Sequence, residues 1–402
     1  MERETGILYF WPPDAAGRVE ADVSLLRDLV VLKNVSHLTL RGLIFALNRA
    51  TAVTLHGGAN VTVAGCTFRA IGGRAGIIDG GTGHAFVGCD VYDTGDGGIS
   101  VTGGDRARLL PAGHAVLNCQ FCRYSRNSKT YRPAVSLNGV GNRVAHNLIY
   151  DAPHMAIQFT GTDHLIEFNE IHHVCTETDD AGAIYTGRNW TWRGTVIRYN
   201  YFHHMGTYKT WVGVQSVYID DMSSATTIHG NVFYRGGRGV LIGGGRDNTI
   251  TNNVFIDCTP AVHIDQRGIG WARETADAED GTLRKTLREM PYTQPPWTEK
   301  YPELVNILDD EPGKAKYNVV ARNVSVGGRW LDLADGLNEQ TVALENNLTD
   351  ADPLFVDAAR QDFRLKPDSP AFLLGFEPIP VEKIGLYRDD LRASWPPASQ
   401  PH

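Results

Sequence analysis

The sequence predicts an all-β protein wound as a right-handed parallel β-helix, a single-stranded solenoid carrying one short helical or loop insertion. Three observations lead there: a six-residue pattern that recurs along the chain, a spacing that fits one strand-rich coil per recurrence, and a second strand ending in glycine within each coil. The pattern puts an apolar residue first, a small polar residue fourth and an apolar or aromatic residue sixth, as in VAGCTF (63–68), VLNCQF (116–121), IEFNEI (166–171), IRYNYF (197–202), IHGNVF (228–233) and ITNNVF (250–255). Successive fourth positions, Cys66, Cys89, Cys119, Asn147, Asn169, Asn200, Asn231 and Asn253, lie 22 to 31 residues apart. Asparagines in such a column can hydrogen-bond up and down the stack and satisfy turn amides that burial would otherwise leave unpaired. Two positions later, Phe68, Val91, Phe121, Ile149, Ile171, Phe202, Phe233 and Phe255 predict an internal apolar ladder.

The elements follow in order. Residues 1–30 form an N-terminal strand segment whose strand-like GILYFWPP (6–13) opens abruptly, so a preceding region is expected. Residues 31–266 hold the coils. Their second strands, GISVTGG (98–104), AVSLNG (134–139), AIQFTG (156–161), AIYTG (183–187) and GVLIGGG (239–245), alternate inward apolar residues with outward ones that make a flat face able to hold a site. The ladder breaks over 267–315, where Thr282 to Met290 reads as a short amphipathic helix, and Tyr292, Trp297 and Tyr301 predict a packed excursion or lid rather than an open linker. Coils resume over 316–376, with 352–372 as the cap such a stack requires, and 377–402 form a C-terminal tail.

Composition excludes several classes. With 38 Lys and Arg against 46 Asp and Glu, the net charge of -8 offers no basic surface to nucleic acid or anionic lipid. No run of eighteen apolar residues exists to span a membrane, and Met1 is followed by Glu2, Arg3 and Glu4 rather than a basic and then apolar leader. The six cysteines lack the density of a disulfide scaffold; Cys66, Cys89 and Cys119 sit at equivalent coil positions and read as small core residues.

Chemistry is concentrated in the coils from Cys119 onward. Insertions at 125–132, 176–180, 188–194 and 205–213 fall at matching places and predict the walls of a groove. They bring Tyr131, Trp190, Trp192, Tyr208 and Trp211, whose flat faces suit sugar rings, although each aromatic is equally able to pack a loop onto the stack. Two acidic doublets border the groove, Asp179 with Asp180 and Asp220 with Asp221. Coils about 4.8 Å apart can bring carboxylates toward the separations of glycoside hydrolysis, roughly 5 Å for retention and roughly 6.5 to 9.5 Å for inversion. Register opposes the pairing of Asp180 with Asp221, because one precedes its strand and the other follows its own, an offset of about five residues or roughly 16 Å unless a bulge slides Asp221 back. In simple register Asp180 lies beside His154, and Asp221 beside Tyr185 and Gly243. Arg188 is placed to hold a substrate hydroxyl or carboxylate. The stacked doublets His172–His173 and His203–His204 read as an aromatic-like corner stack rather than a metal site, so no metal or other cofactor is expected.

The segments DDAGAIYTGRNWTWRGTVIRYNYFHHM (179–205), VYIDDMSSATTIHGNVFYRGGRGVLIGGGRDNTITNNVF (217–255) and PPWTEKYPELVNIL (295–308) resemble the β-helical glycoside hydrolases of family 141, which include α-L-fucosidases and xylanases. The resemblance spans most of the chain. It implies an enzyme that hydrolyses a plant or algal-type polysaccharide or branched glycan in an extracellular or periplasmic setting. It also implies two catalytic aspartates on neighbouring coils, matched best by Asp180 and Asp221, with Asp179 and Asp220 as alternatives. Two rivals share the fold: a polysaccharide lyase, which needs a Lys, Arg, His or Tyr base and often Ca²⁺, and a non-catalytic glycan-binding stack, which needs the aromatics and not the carboxylates.

Overall fold

The computed structural model describes residues 2–11, 21–206 and 212–397. The chain winds into three parallel sheets of eleven, eleven and ten strands among the described residues, each coil giving one strand to each sheet. The first sheet runs from Val30–Lys33 to Leu331–Leu333, the second from Thr39–Arg41 to Ala343–Glu345 and the third from Ile44–Asn48 to Val324–Val326. The winding is that of a right-handed parallel β-helix, the hand that parallel crossovers take.

Both expected ladders are present. The apolar column stacks in register along the third sheet, and its last rings, Phe202, Phe233 and Phe255, lie nearly parallel with centroids 4.9 and 4.7 Å apart. In the polar column each backbone amide donates to the side-chain oxygen one coil on: Cys119 to Asn147 at 2.9 Å, Asn147 to Asn169 at 3.0 Å, Asn169 to Asn200 at 3.0 Å and Asn200 to Asn231 at 2.9 Å. The column continues through Asn253 and Asn323 to Asn347. All six cysteines are buried and unbridged. A second polar column, which the sequence pattern did not disclose, runs along another corner: the amides of Val61, His84, His114 and Asn142 donate in turn to His84, His114, Asn142 and His164. It was hidden because imidazole and carboxamide share one structural role.

The excursion is a small packed body. Its helices Arg273–Asp277, Thr282–Arg288 and Trp297–Lys300 enclose Leu283, Leu287, Trp297 and Leu304 together with Trp190 and Met222 from the coils. One expectation about the C-terminal part is corrected. Residues 352–372 do not close the end of the stack; their hairpin, Phe355–Asp357 with Asp362–Leu365, covers outward apolar residues of the third sheet, Val232, Val254 and Ile256. Those residues lie on an otherwise solvent-facing sheet surface, so covering them removes apolar area from water. Residues 377–397 of the C-terminal tail pack against the stack. They run back along a corner of the stack, with Glu377 donating to Asn252, Gly385 to Phe168, Tyr387 to Asn118 and Ala393 to Gly88. No helix among the described residues is long and apolar enough to cross a membrane.

Candidate active site

Four adjacent strands of the first sheet, Ala181–Gly187, Val214–Asp220, Arg238–Gly243 and Val262–Asp265, form the site floor. Their interior is set by Ile184, Val217, Ile219, Val240, Ile242, Val262 and Ile264, all fully buried. Alternation then turns the intervening residues outward in rows. One row carries Tyr185, Tyr218, Leu241 and His263; the next carries Gly187, Asp220, Gly243 and Asp265. A Cβ at position 243 would come within 2.6 Å of the Arg267 Cζ and push the guanidinium aside. The missing side chain lets the Arg267 guanidinium lie on the floor between two carboxylates.

Arg267, in the first turn of the excursion, donates from Nη1 to Asp220 at 2.6 Å and to Asp221 at 3.2 Å, and from Nη2 to Asp265 at 2.6 Å. One planar fork thus touches three aspartates. Tyr185 Oη donates to Asp220 at 3.0 Å, and Arg188 Nε to Asp221 at 2.5 Å. His263 stands 3.5 Å from Asp265 and 2.7 Å from Asp332. Trp271, 75 % exposed, has its ring centroid 5.5 Å from the Arg267 guanidinium and offers a flat face to solvent. The cleft these groups line has a volume of about 540 Å³.

Environment splits the carboxylates. Burial, and then the neighbouring Asp221 charge, push Asp220 up to about 6. Burial would also raise Asp265, but hydrogen bonds from His263 and Arg267 outweigh it and hold that carboxyl down at about 2. Burial, reinforced by Asp220, drives both Tyr185 and Tyr218 well above the usual phenol range, so both keep their protons.

The sequence-derived candidates do not share one place. Asp220, Asp221, Tyr185 and Arg188 meet in this cleft. Asp180 borders it from the far side, where its Oδ1 accepts from Tyr218 Oη at 3.1 Å, and Asp179 caps the turn by accepting from the amides of Asp180 and Gly213. Asp180 and Asp221 are not a stacked pair. The ladder between their strands runs without a slip, Ala181 opposite Val214 through Gly187 opposite Asp220, so no bulge returns Asp221 toward Asp180. His154 is buried beneath Tyr131, at 5.1 Å between ring centroids, and burial lowers its pKa to about 4, which keeps the ring neutral. Trp190 is corrected outright, being wholly buried among the excursion's apolar residues and out of reach of any ligand. Trp192 is half-buried on the same turn, while Tyr208 and Trp211 lie outside the described residues. Asp265, Arg267, His263 and Trp271 were not singled out from sequence. Aligning GVLIG (239–243) with AVHID (261–265) would have found Asp265, since it matches Gly243 one coil back and Asp220 two coils back.

A family model described as a right-handed β-helix region matches residues 133–274, the coils that carry this cleft. Among solved structures, a glycoside hydrolase is 20% identical with a TM-score of 0.41, over 50% of this chain and 38% of that one. A PL6-family polysaccharide lyase from Pseudopedobacter saltans is 11% identical with a TM-score of 0.41, over 90% of this chain and 96% of that one. A PL6 alginate lyase in complex with a trisaccharide is 12% identical at a TM-score of 0.41, over 90% of each chain. No curated protein matches the sequence. Likeness at this level concerns coil winding, and the chemistry rests on the side chains of this chain.

Proposed function

We propose that the cleft hydrolyses glycosidic bonds, with Asp220 as general acid and Asp265 as the partner carboxylate. The observation that supports this most is the opposed pair itself, two carboxylates spanned by one guanidinium, one able to hold a proton up to about pH 6 and the other kept ionised. Because a single fork reaches both, they lie inside the roughly 9.5 Å limit of glycosidase geometry. Asp220 would protonate the leaving oxygen while Asp265 opposes the developing oxocarbenium charge or activates water. Asp221 holds Arg267 and Arg188 in place, and Asp180 with Tyr218 offers hydrogen bonds to sugar hydroxyls at the far wall. This reading fits the resemblance to family 141, in which α-L-fucosides and xylans are the natural first substrates to try. A lyase using a tyrosine base would need a deprotonated phenol, and burial keeps the two cleft tyrosines protonated.

A panel of aryl glycosides including α-L-fucoside and β-xyloside tests the proposal. Release of the aryl group with at least one member, without an unsaturated ultraviolet-absorbing product from uronate polymers, is the expected result. Unsaturated product alone would replace hydrolysis by elimination.

A further inference from the structure

We propose that the third sheet carries a surface site for one zinc-class divalent transition metal, held by Glu170, His172 and His203 and separate from the cleft. The sequence pattern showed the two histidine doublets as a stack, and the stack is present: His172 faces His203 at 4.6 Å between ring centroids with planes 19° apart, and His173 faces His204 at 5.6 Å. The structure adds Glu170. It lies two residues before His172 on the strand Glu170–His172, so both point to the same outer face, and His203 is the exact register partner of His172 on the next coil. One ligand atom from each of the three falls within 4.8 Å of the others, and His203 Nε2 is already 3.3 Å from Glu170 Oε1.

The second histidine of each doublet completes the logic. His172 Nδ1 lies 2.7 Å from His173 Nδ1, and His203 Nδ1 lies 2.9 Å from His204 Nδ1. A contact between two ring nitrogens is a hydrogen bond only if one donates. When His172 and His203 donate through Nδ1, each keeps an Nε2 lone pair for a metal, and His173 and His204 fix ring orientation as outer partners do in metal sites. Two imidazoles and one carboxylate suit Zn²⁺, Ni²⁺ or Cu²⁺ rather than Ca²⁺ or Mg²⁺, which prefer oxygen sets. The three side chains are half-buried, and Glu170 also borders a cavity of about 380 Å³ shared with Tyr201, Arg360, Gln361 and Val381. The C-terminal strap crosses at this point, with Gly385 bonded to Phe168 and packed on Glu170, so a bound ion would brace two adjacent coils beneath the strap.

The test uses the untagged full chain, stripped by chelation and titrated with ZnCl₂ by calorimetry, with metal counted after desalting. One retained equivalent, a raised Tm with zinc and a tetrahedral-type visible band with Co²⁺ are expected. His172→Gln and His203→Gln should each weaken zinc binding by about tenfold or more, and the double variant should abolish it while keeping the β-sheet circular dichroism of the metal-free parent. Absence of a stoichiometric equivalent in the parent, zinc binding unchanged in the double variant, or preference for Ca²⁺ over Zn²⁺ would overturn the site.

Discussion

At the residue scale the account depends on one proton. Asp220 holds it because burial and Asp221 oppose its charge, and a general acid works only while protonated. On any accepted substrate kcat/KM is therefore expected to fall about tenfold per pH unit above about 6; a profile flat to roughly pH 8 would remove Asp220 from that role. The same shift fixes a sign for stability. The native state binds this proton more tightly than the unfolded chain, so the site costs stability as pH rises from the unfolded value of roughly 3.9 through about 6. Sequence could name Asp220 and Asp221 because a doublet on a repeating coil is visible in one dimension. It preferred Asp221, because the burial that raises Asp220, and the Tyr185 and Arg267 bonds that partly offset it, come from other coils and from the excursion. Trp190 misled for the same reason: nothing local distinguishes an aromatic that faces a groove from one that anchors an insertion.

At the element scale, register decides which side chains meet. Gly243 opposite Asp220 and Asp265 leaves the gap that Arg267 fills, and Gly243→Ala would place a methyl 2.6 Å from the Arg267 Cζ. The clashing atom ends a flexible side chain, so the fold should survive, with Tm nearly unchanged, while displacement of the guanidinium lowers turnover by about 10²-fold. Unchanged turnover would show that Arg267 has no part in the chemistry. The asparagine column makes an independent prediction. Asn200→Ala removes the acceptor of the buried Asn169 amide and a donor to the Ile166 carbonyl, at a cost of about 1 to 3 kcal/mol measurable by denaturant unfolding. An unchanged midpoint would make the column incidental. This column was legible in sequence because one residue type repeats at one position; the His and Asn column on the other corner was not, since its residue type varies while its role stays fixed.

At the scale of the whole molecule, the coils from Val30 to Glu345 form one stack, and the chain end binds it lengthwise. Arg392 reaches from that end to Asp90, some three hundred residues earlier in the sequence, and both are buried; Ser394 adds a bond to the same carboxylate at 2.6 Å. Arg392→Met would leave Asp90 buried without its counter-charge, an expected loss of about 3 to 5 kcal/mol, whereas a shift under about 0.5 kcal/mol would mean the strap adds nothing to the stack. The solenoid itself was readable from periodicity, but the strap was not, because its contacts follow corner geometry and carry no repeat of their own. The same long-range assembly makes the cleft, since Asp220 and Asp265 belong to coils two apart and are joined by a residue of the excursion. The most direct measurement of the central claim is turnover of an accepted aryl glycoside by Asp220→Asn, Asp265→Asn, Asp180→Asn, Asp221→Asn and Asp179→Asn, each checked for intact folding. Losses of roughly 10² to 10⁴-fold or more for Asp220→Asn and Asp265→Asn, with a much smaller loss for Asp179→Asn, are the predicted result; near-normal turnover by Asp220→Asn and Asp265→Asn, with the large losses falling on Asp180→Asn and Asp221→Asn, would contradict it.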